Sequence, residues 1–130
     1  MEFWRDPEKQ GWMQSQGEVV KTWRRRWFIL KQGFLFRFSS PDVSATTKPR
    51  GVVDLSKVTD VSEARDQTSK LNSLKLSTES GHVAYTCDSE TELVEWISAL
   101  EGAVSAIVRK VSFQSMTALM PYAAIAIPGY

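Results

Sequence analysis

The chain has 130 residues, 42% of them apolar, with a net charge of +1 and one cysteine, Cys87. That is one domain's length with material for a core of its own, and a lone cysteine excludes an internal disulfide and suits a reducing compartment. No apolar run is long enough to span a bilayer and "MEFWRDPEKQ" has no secretory pattern, so a soluble, cytoplasmic protein is expected.

Short strand-like runs come first. "GWMQSQ" (11–16) and "WRRRWFILK" (23–31) flank "GEVVKT", and "FLFRFS" (34–39) follows the Gln32-Gly33 turn signal. A Ser, Pro and Thr-rich loop leads to "GVVDL" (51–55), "VTDVSEA" (58–64), "SLKLST" (73–78) and "HVAYTC" (82–87). Seven short runs at even spacing predict a mostly β meander, an antiparallel sheet or barrel. From Asp88 the period changes. Leu93, Trp96, Ile97, Leu100, Val104 and Ile107 form one helical stripe, and Ser89 with Glu92 makes a capping box. Gly102 is tolerable inside that helix. Residues 111–130 carry no charge and form a tail after a domain over 1–110; the helix is expected to stop by Pro121.

"KTWRRRWFIL" (21–30) is the unusual stretch. On a strand, Arg24, Arg26, Phe28 and Leu30 share one face, while Arg25, Trp27, Ile29 and Lys31 share the other. Phe28 and Leu30 belong in a core, but unpaired guanidinium groups do not. Arg24 and Arg26 are therefore placed where the interior opens to water, about 7 Å apart along the strand. Lys21 lies just before them. Charge is also uneven along the chain: residues 1–50 hold ten Lys/Arg against five acids, and 51–130 hold six against ten. Two readings stand at this point, an anion site at a concave mouth or solvated charges on an exposed strand end.

"GWMQSQGEVVKTWRRRWFILKQGFLFRFSS", "KPRGVVDL" and "YTCDSETELVEWISAL", in that order, resemble the pleckstrin homology (PH) domain over about residues 8–108, with Trp96 in the place of the family's helix tryptophan. The single domain resembles the small single-PH proteins of plants. The resemblance implies a seven-stranded, bent antiparallel sandwich or barrel, capped at one end by a C-terminal helix and open and basic at the other. It also implies phosphoinositide binding. Arg24-x-Arg26 fits the family's basic motif, Lys21 matches a supporting loop position, and Arg50 matches an arginine that reaches the pocket in some members. The family's first-strand lysine is replaced by Ser15, and Arg37 stands where some strong binders have tyrosine. Fewer cations imply fewer phosphates held, which points to a 3-phosphoinositide such as phosphatidylinositol 3-phosphate. Val19, Val20 and Trp23, in or beside the same loop, fit a contact with the bilayer interface.

Other candidates have plainer readings. His82 is the sole histidine and has no signalled partner, and Cys87 reads as a small core residue rather than a reactive thiol. Glu90, Glu92, Glu95 and Glu101 read as a solvated helix face. No metal-ligand spacing, phosphate-cradling glycine loop or nucleophile motif occurs, so no catalysis, metal or cofactor is expected. Nucleic acid is not expected as a partner for so small a basic region. The expected function is a monomeric, non-enzymatic PH domain recruited peripherally to endosomal or plasma membrane by phosphoinositide. The alternative is a protein-interaction module on the same scaffold that reads an acidic or peptide partner.

Overall fold

A computed structural model describes residues 3–16 and 21–126, with side chains as far as Arg109. Seven strands form one antiparallel sheet: β1 (Lys9–Gln16), β2 (Trp23–Lys31), β3 (Phe34–Phe38), β4 (Gly51–Asp54), β5 (Asp60–Glu63), β6 (Ser73–Thr78) and β7 (Gly81–Thr86). Their order is β4-β3-β2-β1-β7-β6-β5. The β1–β2 ladder is the longest, from Lys9 opposite Leu30 to Gln16 opposite Trp23. At the β2–β3 turn both Gln32 (φ 50°) and Gly33 (φ 84°) are left-handed, which matches the right-handed twist of the strands they join.

The sheet bends around a single core. Met13 of β1, Phe28 and Leu30 of β2, Leu35 of β3, Val61 of β5, Leu74 and Leu76 of β6 and Tyr85 of β7 meet there. A helix closes it. Leu93, Trp96 and Leu100 of α2 (Glu90–Ala126) are buried in the same cluster, with Ile97, Val104 and Ile107 packed at its margin. Burying each of the larger side chains contributes roughly 1.5–3 kcal/mol. The helix starts where expected: the Ser89 Oγ accepts from the Glu92 backbone N–H at 3.1 Å.

The helix lies against β5 and β6 and reaches the β2–β3 turn. Its N-terminal approach is held by Asp88 on Arg25, Trp96 lies 3.7 Å from the Cβ position of Gly11, and Ile107 lies 3.4 Å from that of Gly33. Beyond Ile107 it continues to Ala126 and passes through Pro121 rather than stopping there. Proline removes one N–H of the ladder and crowds the preceding turn, a cost of about 3 kcal/mol or more, and the helix still continues from Tyr122 to Ala126. Two short elements were not expected. "GVVDL" ends as a strand at Asp54, whose carboxylate accepts from the Ser56 N–H at 3.0 Å and caps a 3-10 turn over Leu55–Lys57. Helix α1 (Arg65–Thr68) sits between β5 and β6.

The outer face of β2–β3 carries a second apolar cluster. Ile29 and Phe38 are buried there, and Trp4 packs edge-on to Phe36 at 4.8 Å and to Phe38 at 4.9 Å. Lys31 Nζ donates to the backbone carbonyl of Arg5, which holds this N-terminal strap in place. No helix among the described residues is long and apolar enough to cross a membrane.

Candidate anion-binding site

The three arginines of β2 are sorted by strand alternation. Phe28 and Leu30 face the core, so Arg24 and Arg26 lie on that same face, nearer the end where β2 begins. There the core stops and a cavity of about 590 Å³ opens, lined by Ser15, Gln16, Arg24, Arg26, Arg37, Ser39 and Arg50. Four of the seven residues are arginines and none is an acid. The expected mouth is therefore present, with Arg24, Arg26 and Arg50 brought together from β2 and from the approach to β4.

Backbone contacts fix these groups. Arg26 Nη1 donates to the Arg25 carbonyl at 2.8 Å. The Arg50 N–H donates to the Arg37 carbonyl at 2.7 Å, and Arg37 Nη2 donates back to the Arg50 carbonyl at 3.0 Å. Gln16 Nε2 donates to the Lys21 carbonyl at 2.9 Å, which ties the rim of the cavity to the start of β2. Lys21 itself is exposed beside the cavity and does not line it. Trp23 is half-buried at the first position of β2, on the face it shares with Arg25. Val19 and Val20 lie outside the described residues.

Arg25 is engaged elsewhere. Its Nη1 reaches both carboxylate oxygens of Asp88, at 2.9 and 2.7 Å, and the guanidinium lies over the Trp12 ring at 4.8 Å. Arg37, noted in the sequence as standing where some strong binders have tyrosine but not counted among the binding residues, also lines the cavity. Its signal was its alternation with Leu35, which shares its face. That signal was masked by Phe34, Phe36 and Phe38, three aromatics that suggest the opposite face as the core.

The remaining candidates lie away from this cavity. His82 is exposed on β7, and Cys87 is buried in the core. Burial, then the Glu92 and Asp88 carboxylates, push the Cys87 thiol up to about 12, with Lys9 opposing. Among the described residues no three His, Cys, Asp or Glu side chains group as a metal site.

Residues 7–105 match the PH-domain family. The chain belongs to that family. A PH domain-containing relative, pleckstrin homology domain-containing protein 1 of Arabidopsis thaliana, is 38% identical over 102 residues, spanning 77% of this chain and 70% of the relative. Among solved structures, the C-terminal PH domain of pleckstrin in complex with D-myo-Ins(1,2,3,5,6)P5 superposes with a TM-score of 0.62 and 26% identity. That match covers 74% of this chain and 93% of the pleckstrin domain. The Slm1 PH domain shares the fold, with a TM-score of 0.66 at 20% identity over 76% of this chain and 96% of its own. The strap residues Phe3 and Trp4 precede the stretch matched to the family.

Proposed function

We propose that this PH domain is a non-catalytic module that binds phosphoinositide headgroups and so docks reversibly on membranes, as a monomer. The observation that carries the reading is the cavity of about 590 Å³ in which guanidinium groups from separate elements converge with no carboxylate to neutralise them. Arginine forks match phosphate oxygens, and a concave cationic mouth concentrates anions. Arg24, Arg26 and Arg50 contact phosphate, and Lys21 supports them from the rim. The pleckstrin relative solved with an inositol pentakisphosphate supports an inositol phosphate as ligand. Ser15 supplies no charge where a lysine would, which favours a headgroup with few phosphates, such as that of phosphatidylinositol 3-phosphate on endosomal membrane. Val19, Val20 and Trp23 then meet the bilayer interface beside the headgroup.

Titration of soluble inositol phosphate headgroups tests this. Each charge-assisted contact contributes roughly 1.5–3 kcal/mol, so Arg24→Ala or Arg26→Ala weakens binding about ten- to a hundredfold or more. Arg25→Ala leaves the headgroup affinity nearly unchanged, because its guanidinium serves Asp88 and Trp12. Equal losses from all three would mean a diffuse basic surface. Binding of an acidic peptide but of no headgroup would favour the protein-interaction alternative.

A further inference from the structure

Strand β4 ends the sheet order, so one of its edges meets no strand among the described residues. The phase of its ladder fixes what that edge offers. The Leu55 N–H donates to the Gly33 carbonyl at 3.0 Å, and bonded positions alternate along an antiparallel ladder. Gly51 and Val53, opposite Arg37 and Leu35, therefore bond to β3, while Val52 turns its N–H and C=O to the free edge. Val52 is 52% exposed. Native edges are usually guarded by a charge or a proline, and Val52 and Val53 supply neither.

A groove of about 940 Å³ runs from this edge to the β6–β7 hairpin, with an apolar floor made by Val53, Leu76 and Val83. Val83 pairs with buried Leu76 and stands two residues before buried Tyr85, which puts it on the core face of β7, yet it is 44% exposed. A core-facing valine left open to water marks the place where the two halves of the bent sheet part. Val52, Val53 and Val83 also line a cleft of about 420 Å³ whose walls reach Phe28, Leu35 and Tyr85, so the floor deepens towards the core. The groove is not an anion site. Lys57 and His82 stand there with Asp54 and Glu79, and none of Arg24, Arg26 and Arg50 lines it.

We propose that this groove docks an extended peptide segment of a partner protein, which joins the sheet as a strand beside β4. A residue lying antiparallel opposite Val52 exchanges two backbone hydrogen bonds with it, a pairing that needs an amide backbone. With a side-chain period of two, aliphatic groups of the guest fall on Val53 and Val83 while polar ones face water. The edge suits a guest strand of roughly four or five residues, since β4 itself spans four. This site goes beyond the phosphoinositide reading and shares no arginine of the proposed headgroup contact, so mouth and groove can be filled together.

The test selects displayed random linear peptides on the full chain, then titrates the chain with the most enriched sequence as an end-capped synthetic peptide. Enriched sequences should alternate aliphatic and polar residues. Methylating alternate backbone amides of that peptide in one phase should weaken binding more than tenfold, and in the other phase hardly at all, because only one set faces β4. Val52→Pro removes the free N–H without breaking a bond to β3, and should weaken peptide binding about three- to tenfold while leaving headgroup titration unchanged. Val83→Glu, which puts a charge on the apolar floor, should weaken it more than tenfold. Thermal melting checks folding, and the methylated peptides, which leave the protein untouched, decide the matter if a variant does not fold. No enriched sequence, or binding indifferent to the phase of methylation, overturns the inference. So does a peptide lost by Arg26→Ala but kept by Val83→Glu, which would lie in the mouth instead. Absence of headgroup binding alone removes the phosphoinositide reading and leaves the groove standing.

Discussion

Arg25 gives its guanidinium to Asp88 and Trp12, while its two neighbours on β2 face the cavity. The half-exposed pair with Asp88 contributes only about 0.2–1 kcal/mol, but it places the segment that opens the helix. That division was legible because alternation along a strand is strict. Arg37 was marked only by the family position it shares with a tyrosine; its face was hard to read from alternation alone, because Phe34, Phe36 and Phe38 suggested the other side as the core, where Trp4 in fact covers Phe36 and Phe38. Cys87 shows burial winning over position. A helix start lowers a thiol's pKa, yet desolvation and two nearby carboxylates raise it from 9.0 to about 12. Native protein should therefore resist iodoacetamide at neutral pH, with alkylation appearing only on unfolding. The linkage has a definite sign. Between about pH 9 and 12 the unfolded chain loses the thiol proton while the folded chain keeps it, so stability falls as pH rises through that window. Denaturant midpoints of the wild type and Cys87→Ala, compared across it, should show the wild type losing more.

Among the elements, α2 was the clearest in the sequence and decides most of the packing. Its stripe at Leu93, Trp96 and Leu100 is the buried face. Trp96→Ala should cost on the order of 3–5 kcal/mol by urea denaturation, since it empties the largest fully buried site. A variant as stable as the wild type would mean that the helix does not close the core. The strands were legible to within a residue or two, because their apolar positions alternate. The 3-10 turn at Leu55–Lys57 was hidden because "GVVDL" reads as one run; the Asp54 carboxylate, held below its ordinary range by two hydrogen bonds from Ser56, turns the chain there. The N-terminal strap was equally silent, since no local period announces that Phe3 and Trp4 fold back onto β3.

At the scale of the whole molecule, the cavity lies where β2 begins, and the helix leaves the sheet near Gly33, where β2 ends. Four bases of residues 1–50, Arg24, Arg26, Arg37 and Arg50, thus gather at the mouth, while Lys9 and Lys31 lie at the other end of β2, a sorting by topology that the sequence carried only as an uneven charge count. The core closes with side chains up to Ile107. A chain ending at Lys110 should accordingly keep its melting transition and its headgroup affinity. Unfolding of that shorter chain would make the last helical turns part of the fold, and intact folding with lost vesicle binding would make them a membrane contact.

The nineteen residues of helix from Val108 to Ala126 extend about 28 Å past the last core contact. Were the arginine mouth to rest on lipid, as proposed, that length would start from the β2–β3 turn, at the other end of β2 from the mouth. A fluorescent protein joined behind it would ride clear of the headgroups, free to report recruitment without obstructing it. The same cargo joined at Lys21 would sit at the rim of the mouth.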